Sequence, residues 1–256
     1  MQINNINKMR YILILSTFII LTNINGQDSI RLLTFQELQR QKIYATVESA
    51  LSDYNDGIPI YRLNLASKGF RKLPEEIFSI KTLQELQLPW NELTEISSEI
   101  EKLEYLQSLN LVWNFFPKFP TEICALSNLR FLNLPGKGKK ELPNCFSELK
   151  NLNHLILTDY NFKEFPLVLT QLESLEVLVL SDCNISYLPD ELFRLANLKE
   201  LILTNNRIKQ IPISIENATS LEYLDLRQNR LPRKQNRDYL SKTEIQGLIS
   251  IIKSNE

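Results

Sequence analysis

Side chains that commonly carry catalysis are scarce in this 256-residue sequence. His154 is the only histidine, and Asp159 lies nearby in the sequence. A hydrolytic site built on this pair would need a nucleophile such as Ser108 or Thr158, and no spacing selects either hydroxyl. One histidine with scattered carboxylates also lacks the ligand set of a zinc site. The sequence therefore predicts a protein that is not an enzyme and that binds neither a metal nor a cofactor.

Two further groups of reactive residues are better explained by structural roles. The segment 135–140, Pro-Gly-Lys-Gly-Lys-Lys, has the charge to bind phosphate but lacks the spacing and the Ser or Thr of a P-loop. We therefore expect a solvent-exposed loop there. Cys183 is expected to be a buried thiol. Cys124 and Cys145 could form a disulfide that staples two segments, and two buried free thiols are the alternative that we favour.

The charge balance argues against one class of partner. The chain has 29 Lys and Arg against 30 Asp and Glu, and 43% of its residues are hydrophobic. This composition is typical of a globular protein. Binding to a phosphate backbone needs a basic face, so nucleic acid is not an expected partner.

The first 26 residues have the layout of a secretory signal peptide. Lys8 and Arg10 precede a mainly apolar run over 11–21, and Gly26 is a small residue at a plausible cleavage point. The run is shorter than the ~20 apolar residues that span a bilayer, which favours a signal peptide. An uncleaved membrane anchor and a buried helix are the alternatives. We expect an exported chain, secreted, periplasmic or on the cell surface, without a stable membrane span. Its many Asn, Ile and Lys residues also suggest an AT-rich, bacterial genome.

A repeat of 23 residues organises the rest of the chain. Aliphatic residues occupy the first, fourth and sixth places of each unit, Pro usually occupies the fifteenth, and apolar residues follow at the eighteenth and twenty-first. Alternation at the fourth and sixth places predicts a short strand whose third, fifth and seventh side chains point away from the core. The later spacing predicts a turn of α- or 3₁₀-helix, and coils of this kind stack into a solenoid. The eight units begin at Ile60, Leu83, Leu106, Leu129, Leu152, Leu175, Leu198 and Leu221.

This pattern, with Phe119, Pro120, Ile123 and Leu126 as one example, resembles the leucine-rich repeat family. It is similar to the 23-residue Leu-Pro-x-x-Ile-x-x-Leu class of Ras-suppressor, Erbin and scribble-like repeats, and the resemblance covers residues 60–231. It implies an α/β solenoid: a curved horseshoe with a parallel concave sheet, short helical or 3₁₀ turns on the convex side, and helical caps at both ends. It also implies that the concave face binds other proteins.

The resemblance further implies an asparagine at the ninth place, where its amide satisfies backbone groups at the turn after each strand. Cys183 is a common substitute there, whereas Lys68, Lys137 and Tyr160 depart from the pattern. We therefore expect units one, four and five to be irregular. The asparagines that fit are Asn91, Asn114, Asn206 and Asn229.

Both ends of the solenoid are expected to be covered by helices. Thr34 with Glu37 forms a capping-box pattern that opens a helix to about Ser52. Ile245 and Leu248 lie at helical spacing near the C-terminus. The predicted segments are a signal peptide over 1–26, an N-terminal helical cap over 27–59, the repeats, the last one partial, over 60–231, and a C-terminal helical cap over 232–256.

The outward side chains locate a candidate ligand surface. The third and fifth places are mostly polar in the first units and largely apolar from unit four to unit seven. Contiguous exposed apolar patches mark interaction sites. Trp90 and Trp113, at the eighth place of neighbouring units, are expected to form an aromatic pair at the rim. The candidate ligand-binding residues are Trp90, Val112, Trp113, Phe131, His154, Ile156, Val177, Val179, Ile202 and Tyr223.

We therefore interpret the chain as a non-catalytic, exported binding module that recognises a protein partner through its concave face. The alternative is a glycan- or cell-wall-binding protein, in which surface aromatics stack on sugar rings. The amides of Asn64, Gln87, Asn110 and Asn133, in the first half of the fifth-place column, favour that alternative.

Overall fold

The computed structural model describes residues 30–137, 141–232 and 240–253. The predicted signal peptide therefore lies outside the described residues, as do residues 138–140 of the Lys-rich segment. Within the described ranges, no helix has the length and apolar character needed to cross a bilayer.

Within the described residues, ten strands form one sheet in which the strand order follows the chain order. Strands β1 to β9 are parallel, and β10 runs antiparallel to β9. Each repeat contributes one strand, and equivalent places of neighbouring repeats lie opposite each other, as Leu86 does with Leu109. The predicted solenoid with a parallel sheet is thereby confirmed. The strands are β1 Ile43–Tyr44, β2 Arg62–Asn64, β3 Glu85–Gln87, β4 Ser108–Asn110, β5 Phe131–Pro135, β6 His154–Thr158, β7 Val177–Val179, β8 Glu200–Ile202, β9 Tyr223–Asp225 and β10 Leu240–Ser241.

The aliphatic residues of the repeat form one continuous core. Residues at the first, fourth and sixth places are buried in all eight repeats, because one face of every strand packs against the opposite side of its own coil and of its neighbours. That opposite side consists of short 3₁₀ turns, and a Pro at the fifteenth place directly precedes most of them, where its missing N–H is not needed. The turns are Glu75–Ser79, Ser98–Lys102, Thr121–Ala125, Asn144–Glu148, Leu167–Gln171, Asp190–Arg194 and Ile213–Asn217.

The ninth-place asparagines bind the backbone of the preceding coil. Nδ2 of Asn206 donates to the Leu180 and Leu203 carbonyls at 2.7 and 2.9 Å, and its Oδ1 accepts from the Cys183 and Ile185 amides at 3.2 and 2.9 Å. Asn91, Asn114 and Asn229 make equivalent contacts. The predicted asparagine ladder is confirmed, and each amide serves the turn one coil before its own.

Because each asparagine serves the preceding coil, the prediction that unit one is irregular is wrong. Lys68 occupies its ninth place, yet the turn of unit one is regular because Asn91 of unit two accepts from the Lys68 and Phe70 amides. An amide at position 68 would serve a coil that precedes the first repeat. The missing amide therefore has no consequence there.

Units four and five are irregular, as predicted. Their strands, β5 and β6, are five residues long and pair throughout, whereas the other repeats have three-residue strands. Lys137 and Tyr160 replace the asparagines, and the ring of buried Tyr160 packs against Gly136. A Cβ at position 136 would lie 2.3 Å from Cδ2 of Tyr160, so only glycine fits. The longer pairing of β5 with β6 thus replaces the amide that is missing at Tyr160, which would serve the turn of unit four.

A disulfide joins the 3₁₀ turns of units three and four. Cys124 and Cys145 are bonded, with their Cα atoms 5.8 Å apart. Our favoured interpretation of two free thiols is therefore wrong for this pair, because adjacent coils place the two turns within disulfide distance. Cys183 is a buried free thiol as predicted, and burial raises its pKa to about 12.

The N-terminal cap differs from its prediction. The Thr34 and Glu37 capping box is confirmed, but its helix, α1 Phe35–Gln39, is short and is followed by β1 and by α2 Val47–Asn55. The predicted single helix to about Ser52 is wrong because the backbone of β1 pairs with β2 and covers the first edge of the sheet.

The C-terminal end is closed in two ways. The helix α3 Lys242–Lys253 buries Ile245, Leu248 and Ile249 against the core, as the sequence predicts. The short strand β10 pairs with β9 and covers the last edge of the sheet. No sequence pattern predicts this second contact.

Asn206→Ala is expected to destabilise the protein by about 3 kcal/mol or more, because it leaves buried backbone donors and acceptors without partners at roughly 1–3 kcal/mol each. Urea denaturation measures the change in the free energy of unfolding. Asn197→Ala is the matched control, since Asn197 is exposed and makes one bond, to the Glu173 carbonyl at 2.9 Å. Equal losses in the two variants would contradict the ladder's structural role.

Candidate functional site

The strand register brings the predicted surface residues together. Phe131, His154 and Val177 are consecutive partners at the third place, and Ile156, Val179 and Ile202 are consecutive partners at the fifth. Neighbouring strands lie ~4.8 Å apart, so the apolar residues of units four to seven are contiguous, as predicted.

Their exposure differs from the prediction. Val177, Val179 and Ile202 are buried and form a small apolar cluster that is separate from the main core, with Ile156 and Tyr223 packed against it. We call this group the sheet-face cluster. The β-branched side chains shield one another laterally across neighbouring strands, so Val179 has no exposed surface. The expectation that Val179 lies outside any core is therefore wrong.

Trp90 and Trp113 form the predicted aromatic pair. Their ring centroids are 4.8 Å apart with an interplanar angle of 14°, and the two side chains are 59% and 50% exposed. Phe115, two residues beyond Trp113, is also exposed, and Nζ of Lys137 lies 3.4 Å from its ring centroid. We call Trp90, Trp113 and Phe115 the aromatic edge. Val112, also predicted in this surface, is half-buried beside it.

The backbone at both tryptophans is left-handed, with φ of +60° and +61°. The eighth place is left-handed in most repeats, and the other repeats place small or polar residues there. This conformation costs roughly 1–2 kcal/mol for residues other than Gly, Asn and Asp. Two bulky aromatics therefore occupy positions that the fold does not favour for them. The residues at the other left-handed eighth places are Ser67, Asp159, Asp182, Asn205 and Gln228.

The N-terminal segment, residues 30–39, packs along the polar half of the sheet. Oε1 of Gln84 accepts from the Leu33 amide at 2.8 Å, and Nε2 of Gln84 donates to the Arg31 carbonyl at 2.7 Å. Nε2 of Gln107 donates to the Leu33 carbonyl at 2.9 Å. Sequence analysis missed this contact because it joins residues more than 50 positions apart.

A buried ion pair lies beneath the same segment. Arg62 and Glu85 face each other in β2 and β3, and the guanidinium binds both carboxylate oxygens, at 2.9 and 3.0 Å. The guanidinium also donates to the Gln39 carbonyl and to its side-chain oxygen. Opposite charges at the third place of neighbouring units are a signal that could have revealed this pair.

A cleft of about 210 Å³ opens between the N-terminal segment and the sheet. Its apolar walls come from Leu33, Phe35, Leu38 and Phe131. Phe131 and the buried His154 were both predicted as ligand-binding residues, and both line the cleft. Its polar lining consists of Thr34, Gln39, Arg62, Glu85, Gln87, Gln107, Ser108, Asn110, Arg130 and His154.

The structure does not bring Ser108 and His154 together. Ser108 and His154 lie at the third place of β4 and β6, with β5 between them. Two strand spacings separate them by roughly 9.6 Å, far beyond the hydrogen-bond distance that a nucleophile and its base need. Among the described ranges, no group of three or more His, Cys, Asp or Glu residues could hold a metal ion.

Comparison with known families agrees with this geometry. A family model described as leucine-rich repeat matches residues 173–231. Residues 173–231 belong to the leucine-rich repeat family, and the described repeats share its fold. The structure retains the 23-residue period throughout the repeats, whereas membership of the Ras-suppressor, Erbin and scribble-like class stays a prediction. No curated protein matches the sequence significantly.

Solved structures of leucine-rich repeat proteins share the fold. A leucine-rich repeat protein of Leptospira interrogans is 24% identical, with a TM-score of 0.52 over 75% of this chain and 71% of that one. An internalin of Listeria monocytogenes is 20% identical, with a TM-score of 0.61 over 74% of this chain and 52% of its own. TLR13, in its complex with ssRNA13, is 34% identical with a TM-score of 0.58, and the match covers 66% of this chain but 25% of TLR13.

Trp113→Asn is expected to leave the free energy of unfolding within about 1 kcal/mol of wild type. Asparagine tolerates the left-handed backbone, as at Asn205, and the relieved strain offsets a lost stacking contact of roughly 0.5–1.5 kcal/mol. Urea denaturation provides the measurement, with Leu111→Asn in the core as the destabilised reference. A loss above about 2 kcal/mol in Trp113→Asn would show that the ring has a structural role.

Proposed function

We propose that this leucine-rich repeat protein is an exported binding module that recognises a protein partner on its sheet side, with the aromatic edge as the anchor. The partner would contact Trp90, Trp113 and the accessible parts of Phe131, Ile156 and Tyr223. Val177, Val179, Ile202 and His154 are buried, so they support this surface from beneath. Aromatic residues are enriched among the residues that dominate binding energies in protein interfaces.

The exposed, stacked tryptophan pair carries the proposal. Each tryptophan has the left-handed backbone conformation that favours Asn, Asp or Gly, and each side chain is at least half exposed. Burial in the core does not explain these residues, and neither does backbone preference. Residues that lower stability without a structural benefit are characteristic of functional surfaces.

Two observations support export. The layout of residues 1–26 is that of a signal peptide. The disulfide between Cys124 and Cys145 is typical of proteins that mature in an oxidising compartment. Secreted, periplasmic and cell-surface locations all fit both observations. Internalin, one of the proteins that share the fold, comes from a bacterium.

A glycan ligand is the second candidate function. Two parallel indoles in solvent offer a flat apolar surface of the kind on which a sugar ring can stack, and the amides of Gln87 and Asn110 remain partly accessible on β3 and β4. Nucleic acid is a weaker candidate because the net charge of −1 lacks the basic excess that binds phosphates. The ssRNA bound in the TLR13 structure is therefore not carried over to this chain.

Replacing both tryptophans by asparagine is expected to weaken partner binding by about 30-fold, which corresponds to ~2 kcal/mol. The partner is first isolated by cross-linking to the protein on a surface extract of its source, and a glycan array is probed in parallel. Affinities of wild type and of the double variant for the captured ligand are then measured by surface plasmon resonance.

Leu167→Asn is the matched control, because Leu167 is 59% exposed but lies in a 3₁₀ turn on the side opposite the sheet. Its affinity should equal that of wild type. Unchanged affinity in the tryptophan variant, or an equal loss in the control, would place the binding surface elsewhere. Glycan binding that depends on the tryptophans would favour the second candidate.

The exported protein is expected to begin at Gln27 or within a few residues of it, and to contain one disulfide. Intact mass spectrometry of the protein recovered outside the cytoplasm tests both points. Alkylation without reduction should label Cys183 only after denaturation and should leave Cys124 and Cys145 unlabelled. A full-length chain recovered from the membrane, or three free thiols, would contradict the proposed export.

A further inference from the structure

The residues at the second place of neighbouring repeats form a row of polar side chains beside the cleft. Gln84, Gln107, Arg130 and Asn153 occupy this place in units two to five. The first two bind the extended backbone of Arg31 and Leu33 through donors and acceptors alike. The row therefore already binds polypeptide backbone over units two and three.

The next two members of the row have unused hydrogen-bonding groups. Nε of Arg130 and Oδ1 of Asn153 are buried, and neither has a partner among the described residues. Their strands adjoin directly, since the Asn153 amide donates to the Arg130 carbonyl at 2.9 Å. Asn153 is not among the cleft-lining residues, so Arg130 is the member of this pair that a ligand in the cleft can reach.

Arg130 is also the uncompensated charge of the cleft. Glu85 is the carboxylate among the cleft-lining residues, and both of its oxygens are bound by Arg62. Partial burial lowers the pKa of Arg130 without an acidic partner to raise it. A guanidinium stays protonated in proteins even so, and the cleft therefore presents a partly desolvated positive charge.

Part of the cleft lining is apolar. Phe131 lies next to Arg130 in the chain, and Phe35, Leu33 and Leu38 face the sheet from the N-terminal segment. The volume of about 210 Å³ gives room for a compact ligand.

We propose that the cleft binds a carboxylate that carries a compact apolar group. The carboxylate accepts from the guanidinium of Arg130, and the apolar group packs between Phe131 and the N-terminal segment. An N-acylated apolar amino acid and the C-terminal residue of a peptide share this chemistry. This site is separate from the aromatic edge and does not depend on the function proposed above.

Calorimetric titration of the purified protein tests the site with three probes. N-acetylphenylalanine carries the full set of groups, N-acetylphenylalaninamide lacks the charge, and acetyl-Ala-Ala-Phe presents the same groups at a peptide terminus. We expect the carboxylates to bind at least about tenfold more tightly than the carboxamide, because a hydrogen bond to a charged group is the strongest single contact. Tighter binding of the tripeptide identifies a peptide C-terminus as the source, and tighter binding of the free amino acid derivative identifies a small acid.

Arg130→Gln should weaken binding of the carboxylates by at least about tenfold, and Arg130→Lys should restore part of the loss. Arg207→Gln is the matched control, because Arg207 is exposed and is not among the cleft-lining residues. Circular dichroism verifies that each variant is folded. Ser108→Phe, which fills the cleft and leaves Arg130 in place, should abolish binding, and it serves as the test should Arg130→Gln fail to fold.

Equal affinity for the acid and its carboxamide, or no binding of either carboxylate, would overturn the proposal. Equal losses in Arg130→Gln and Arg207→Gln would do the same, since they would indicate a long-range effect of net charge. The Trp90 and Trp113 double variant should bind the three probes like wild type. The outcome for the cleft can therefore be separated from the outcome for the aromatic edge.

Discussion

The hydrogen bonds from each ninth-place asparagine to the preceding coil hold the solenoid in register. Asn206 satisfies the backbone on both sides of a coil boundary. The leucine core needs the same neighbour, because a single coil cannot bury its apolar face. Backbone satisfaction and core burial therefore depend on one condition, which is that the next coil sits in the correct register.

The solenoid compensates where this ladder is interrupted. At units four and five, longer strand pairing replaces the amide, and the contact of Tyr160 with Gly136 fills the turn. On the opposite side, the disulfide of Cys124 and Cys145 joins the coils of units three and four. Lys137 occupies a position where an asparagine is expected. Its ammonium lies over the ring of Phe115. The interruption thus adjoins the aromatic edge and contributes a cation to it.

The sheet side is divided into three regions with different chemistry. The N-terminal segment covers the first units and buries the Arg62–Glu85 pair. The sheet-face cluster fills units six and seven with β-branched residues that shield one another. The cleft lies between the N-terminal segment and the sheet, where Arg130 has a buried donor without a partner among the described residues. Polar and apolar ligand groups can both be accommodated there, because the boundary between the polar and apolar halves of the sheet crosses the cleft.

The sequence by itself determined the repeat, the strand register, the buried leucines, the asparagine ladder and the place of the tryptophan pair. The ladder is implied by the resemblance to leucine-rich repeats. The other features follow from spacing, because a 23-residue period brings equivalent residues together without knowledge of any distant contact. The tertiary structure alone decided what covers the sheet: β1 and β10 at its edges, and residues 30–39 over its polar half. It also decided that Val179 is buried and that Cys124 is bonded to Cys145. These features depend on how closely side chains approach and on contacts between residues outside the repeat pattern, and periodicity carries no information about either.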